Sequence, residues 1–234
     1  MAFFACKKKD SFTSATISDY NPLVTGKYII YKLDSTVLPP FSNTFVTHTY
    51  QAKDSVEGQI TDNLGRPAFR IIRFIRTDDT QPWMPNNTFM AVITGNTLEY
   101  TEDNLRFVKL SLPIKEGVSW KGNEYLTSDP YPYYQFDSDF MADWLYTYQQ
   151  VGASVTLGAN TFDDTITVFE RDDAQGDPGS QPDFYAEKTH SIEQYAKGVG
   201  LIYKDFLHWE YQPPGGSRTG YNGFGITLTL VSHN

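Results

Sequence analysis

Apolar and polar positions alternate with a period of two along much of the chain, most clearly near its end. Between residues 224 and 231, Phe224, Ile226, Leu228 and Leu230 share one face, with Gly225, Thr227, Thr229 and Val231 on the other. Successive side chains of a strand point to opposite faces, so this pattern predicts a half-buried strand. A second aromatic and β-branched run, 199–211, precedes it across Pro213-Pro214-Gly215-Gly216. That composition marks a turn joining two long strands. A terminal strand this regular is expected to close its sheet, because a frayed edge invites aggregation.

From the start of the chain, strands are expected over 28–37, ended by Pro39-Pro40, and over 45–53, with 56–62 as its extension or a short strand of its own. A turn at 63–67 leads to a strong strand at 68–76. A loop with Trp83 follows, then a hairpin of 88–94 and 96–101 about Gly95-Asn96, and a strand at 105–112. Pro113, Gly117 and Gly122 make 112–126 an irregular crossing anchored by Trp120, and 128–140 reads as an aromatic-rich loop. Residues 143–151 fit a strand through Trp144, Tyr146 and Tyr148, or a helical face through Met141, Leu145 and Tyr148; Thr, Tyr and Trp favour the strand. Further strands are expected at 153–157 and 164–171, an acidic loop at 172–183, and the best helix or turn candidate at 187–197. The sum is roughly ten strands, with no repeat at a fixed period. The expected fold is therefore mainly β: a single antiparallel sheet curved into a partial barrel, or a sandwich, with at most one or two short helices. No linker divides the chain, so 19–234 reads as one domain behind a tether at 1–18.

Composition sharpens this picture. Aromatic residues make up 15% of the chain, which suits pleated, half-buried surfaces. The net charge is −9 and the pI about 4.8, without a basic stripe, so a nucleic-acid backbone is not an expected partner. Arg70, Arg73 and Arg76 stand three residues apart in one strand pattern and are expected to pair with carboxylates on neighbouring strands. Cys6 is the single cysteine, which excludes an intramolecular disulfide and a cysteine-based zinc site. No apolar run approaches the ~18 residues that span a bilayer.

Candidate chemistry is sparse. His48, His190, His208 and His233 lack metal-ligand spacing, and the sequence has no nucleophile elbow or phosphate-cradling loop. The glycines of 220–225 precede a strand and read as turn and bulge. His208 and Glu210 share a strand face as an acid/base pair would, but a salt-linked face looks the same. Asp172, Asp173 and Asp177 offer hard oxygens for calcium without the alternation of a helix-loop-helix site. No catalytic residue, metal or cofactor is assigned. The ligand-binding candidates are aromatic: Trp83, Trp120, the cluster Tyr131, Tyr133, Tyr134 and Phe136, and Trp144 and Trp209. Such rings stack on sugars, meet a protein partner or line an apolar cavity, or they plug the ends of a β core.

The N-terminal Met1-Ala2-Phe3-Phe4-Ala5-Cys6 followed by Lys7-Lys8-Lys9-Asp10 resembles the lipobox of a bacterial lipoprotein, although only five residues precede the cysteine. Further along stand Tyr20-Asn21-Pro22-Leu23 with Gly26 and Tyr28, Leu112-Pro113 with Trp120-Lys121-Gly122-Asn123, and Tyr195-Ala196-Lys197-Gly198-Val199-Gly200. With Cys6 they resemble uncharacterised lipoproteins of Bacteroidetes-type bacteria. The layout is also similar to the LolA/LolB-like lipoprotein carriers, incomplete antiparallel barrels curved around a helix. The resemblance implies lipid on Cys6, membrane attachment and a cell-envelope address at the outer membrane, periplasmic or surface-facing. It supplies no activity. The first functional expectation is thus a non-enzymatic envelope lipoprotein that binds a protein, glycan or lipid. Two alternatives stand beside it: a carrier with an apolar cavity inside a partial barrel, and a secreted glycan hydrolase using an Asp/Glu pair.

Overall fold

The alternation at the end of the chain is the geometry of one strand in a sheet of twelve. The computed structural model describes residues 14–127, 130–134, 141–216 and 219–234. Within these, the strands are β1 (Tyr28–Val37), β2 (Val46–Thr61), β3 (Pro67–Arg76), β4 (Met84–Ile93), β5 (Thr97–Glu102) and β6 (Leu105–Ser111). They continue as β7 (Ser119–Lys121), β8 (Leu145–Leu157), β9 (Asn160–Gln175), β10 (Ala186–Ala196), β11 (Gly200–Gln212) and β12 (Gly220–His233). All pairings are antiparallel, in the order β6-β5-β4-β3-β2-β1-β12-β11-β10-β9-β8-β7. The architecture is a single sheet nearly closed into a barrel, not a sandwich.

The terminal strand is not an edge: β12 is laddered on both sides, between β1 and β11, and places Phe224, Ile226 and Leu228 on the interior. The unladdered seam falls instead between β6 and β7, in mid-chain. There the Val108 N–H donates to the Gly122 carbonyl at 2.7 Å, and the Trp120 indole N–H donates to the Val108 carbonyl at 2.7 Å. The Tyr148 hydroxyl donates to the Ser111 carbonyl and accepts from the Ser111 N–H. Side chains thus stitch two edges whose backbone groups would otherwise be bare. Trp120 is the anchor expected in the crossing, packed on Tyr146 and Tyr148. The crossing also holds the short strand β7.

At one end of the barrel the turns are short. That end is floored by α1 (Ile17–Tyr20), the lone short α-helix of the described residues, capped by Thr16 and Asp19 in a reciprocal capping box. Ile17 is 3% exposed and Tyr20 2%, and the Tyr20 hydroxyl donates to Asp164 at 2.8 Å. Ala15 and the residues of α1 therefore pack with the barrel. Cys6 and the stretch around it lie outside the described residues, as does Phe136.

Two further expectations are corrected. The stretch 187–197 is not a helix; all of it but Lys197 falls in β10. Its inward side chains are mostly polar (Glu187, Thr189, Ser191, Glu193), so its period of two is visible in burial but not in hydropathy. The acidic loop begins later than 172, because β9 runs to Gln175. Two of the three arginines pair with carboxylates on the neighbouring strand as expected, Arg70 with Glu57 and Arg73 with Asp54, whereas Arg76 meets the Gln51 amide there and takes its carboxylate, Asp79, from the loop after its own strand.

Candidate functional site

The barrel encloses a cavity of about 590 Å³, within the range of small-molecule sites. Its wall is largely aliphatic and aromatic: Ile29 and Leu33 from β1, Ile71 from β3, Phe89 from β4, Phe206 from β11, and Phe224, Ile226 and Leu228 from β12. Asn21, Pro22 and Leu23, leaving α1, form part of the floor. At the opposite end, exposed Asn86 and Asp103 are part of the lining, so the cavity reaches the surface beside the β4 and β5 rim.

Seven strands each contribute a charged side chain to this lining: Asp54, Arg73, Glu102, Lys109, Glu170, Glu193 and Lys204. Arg73 holds Asp54 through two hydrogen bonds of 2.7 Å and lies 4.8 Å from the Phe89 ring centre. Lys109 donates to Glu193 at 2.8 Å and to Glu170 at 3.1 Å, tying β6 to β9 and β10 from within. The second oxygens of those carboxylates are also taken. Glu170 accepts from the Ser191 hydroxyl at 2.5 Å and Glu193 from the Tyr195 hydroxyl at 2.6 Å. Lys204 stands 3.7 Å from both Glu193 and Glu102, too far for a hydrogen bond.

Burial and charge compete in this belt. Burial works against the Lys109 ammonium, but Glu170 and Glu193 outweigh it and hold Lys109 above its ordinary range. Burial pushes the Glu170 carboxyl up, aided by the neighbouring Glu193 charge and only partly offset by Lys109. Glu193 feels the same burial, yet Lys109 and Lys204 together bring it below the ordinary range. Two carboxylates on one ammonium are therefore pushed apart in proton affinity. Burial raises the Tyr100 and Tyr195 hydroxyls well above their ordinary range, so both stay protonated.

The aromatic candidates separate into distinct places. Tyr131 and the buried Trp144 line the cavity, and Tyr134 packs on the cavity-lining Phe224 with ring centres 4.4 Å apart. Trp120 belongs to the seam. Trp83 is stacked by Lys53 and Arg76, and Trp209 packs on Tyr221; neither lines the cavity. Tyr133 is 84% exposed, its carbonyl accepting from Asn222 at 2.6 Å. His208 and Glu210 are fully buried, with His208 Nδ1 2.9 Å from the Thr189 hydroxyl. Asp172 faces His190, Asp173 faces Arg171, and Asp177 caps its own turn at Gly179 and Ser180, so the three acids do not converge.

The charged belt was not singled out in the sequence. Its signal is a charge inside or at the end of an apolar run, as in Phe107-Val108-Lys109-Leu110 and Val168-Phe169-Glu170. A charged group there must meet a partner inside the fold.

The sequence matches no protein-family model and no curated protein.

Proposed function

We propose that the chain is a non-enzymatic binding protein that holds a small amphipathic molecule inside its barrel, and that lipid on Cys6 anchors it to the bacterial outer membrane. The observation that carries the first part is the roughly 590 Å³ cavity with its aliphatic and aromatic wall and a confined charged belt. An apolar body gains from leaving water for such a wall, and a polar end finds donors and acceptors in the belt. The anchor rests on the lipobox-like residues about Cys6 alone.

The glycan-hydrolase alternative has one feature in its favour, the Glu170 and Glu193 pair on the cavity wall. Lys109 sits between those carboxylates, and Ser191 and Tyr195 occupy their remaining oxygens. An acid/base pair must instead present its oxygens to a sugar and a water. Binding is the reading that fits the geometry better.

Native mass spectrometry of the chain purified without denaturation tests the proposal. Extra mass matching a lipid-sized molecule, released on denaturation, is the expected result. The variant Ile226→Trp, which adds bulk to the cavity wall, should keep its far-ultraviolet circular dichroism and lose the extra mass. A bare mass for the native chain, together with no uptake of added amphiphiles, rejects it.

A further inference from the structure

Most charges in the belt are satisfied within the protein, but one pair is not. The three donors of the Lys204 ammonium make no hydrogen bond among the described residues, and Glu102 accepts none; the two stand 3.7 Å apart as an ion pair. Both line the cavity and are only partly buried, with side-chain exposures of 18% and 28%. Tyr100, whose hydroxyl also makes no hydrogen bond among these residues, stands on the same strand as Glu102 and lines the same cavity. The cavity thus offers hydrogen-bond donors and acceptors side by side.

The flanking charges decide what can use them. A carboxylate approaching Lys204 meets Glu102 and Glu193, each already 3.7 Å from the same ammonium. An amine approaching Glu102 meets Lys204 directly, with Arg73 and Lys109 also bearing on Glu102. In a partly desolvated interior, a like charge at such distances costs far more than in water. An uncharged group that donates and accepts at once meets neither repulsion. It can give a hydrogen bond to Glu102 and take one from Lys204 or Tyr100. We infer that the ligand of this cavity is an uncharged, hydroxyl-bearing amphiphile, its hydroxyl end between Glu102 and Lys204 and its apolar body against the Phe206, Phe224 and Ile226 side of the wall.

This inference rests on the binding reading above, and calorimetry can separate the two. The full chain is titrated at neutral pH with monolaurin, laurate and laurylamine, which share a chain length and differ in head group, each below its aggregation threshold. Monolaurin should bind about tenfold or more tighter than either charged probe. Glu102→Gln should raise laurate affinity and lower that of laurylamine, and Lys204→Gln should do the reverse. Circular dichroism controls for folding, and the wild-type comparison stands without the variants. Laurate or laurylamine binding as tightly as monolaurin, or unchanged laurate and laurylamine affinities in folded variants, overturns the head-group inference and leaves the cavity reading intact. Failure of all three probes to bind overturns the cavity reading and the inference together.

Discussion

Lys109 shows how a single residue holds several strands. Its side chain is 8% exposed and touches two carboxylates that are 3% and 2% exposed. Removing one member of a buried ionic group leaves the others uncompensated. Lys109→Met is therefore expected to cost about 3–5 kcal/mol, read as a lowered urea midpoint. The two acids should not be equivalent. Glu193 lies below the ordinary carboxylate range and its charge is used by Lys109 and Lys204, so Glu193→Gln should be clearly destabilising. Glu170 is pushed up by burial and the Glu193 charge, so Glu170→Gln should be the milder of the two. Equal losses from the two Gln variants would contradict this division.

Perturbed carboxyls also set a pH dependence. Hydrogen bonds from Arg66 and its charge hold Glu99 below its ordinary 4.5. A depressed carboxyl supplies stability that is present above the unfolded value and lost as pH falls through the folded one. Glu170 works in the opposite sense: its contribution is complete below 4.5 and lost as pH rises through its elevated value. Urea midpoints should therefore drop below pH 4.5, and Glu99→Gln should make that drop shallower. Glu170→Gln should lessen the loss that sets in as pH rises above 4.5. An acid limb unchanged in Glu99→Gln would show that Arg66 does not bias the titration.

At the scale of elements, the seam between β6 and β7 is the least regular part of the barrel, and Gly122 sits on it. A Cβ at that position would fall inside the Tyr146 ring, and Tyr146 is fully buried, its hydroxyl donating to Asn123 at 2.7 Å. Gly122→Ala should cost about 1–3 kcal/mol and increase hydrogen exchange at Val108, whose N–H bonds to the Gly122 carbonyl. Protection at Val108 equal to that of the parent would mean the seam is held by other contacts.

Elements with an apolar inward face were legible from the sequence: β1 matches its expected bounds, and β3, β5, β6, β11 and β12 lie close to theirs. Elements whose inward face is polar were not, and β10 is the plain case. Glu187, Thr189, Ser191 and Glu193 point inward because Lys109, Lys204 and the hydroxyls nearby satisfy them, a compensation spread over four strands. Local patterning cannot register partners that distant. The candidate site divides for the same reason. Aromatics drew notice by type, and two of them, Tyr131 and Trp144, do line the cavity, whereas the charges of the belt acquire meaning only once the sheet curls.

For the whole molecule, the position of β12 has a consequence for how the protein is made. The two strands at the middle of the sheet, β1 and β12, are the first and last of the twelve. Their register runs from Ile29 with His233 to Val37 with Phe224, contacts of very high sequence separation. A nascent chain can assemble β1 to β6 as one meander and β7 to β11 as another. The two halves have no ladder joining them until residue 233 emerges. Joining the two halves is then a late and slow step, as expected where distant pairings must form. Deleting residues 220–234 should yield no folded barrel by circular dichroism, since it removes the keystone and not a margin. During synthesis, both half-sheets expose edges awaiting that last strand, and protection from aggregation in that interval falls to whatever escorts the chain.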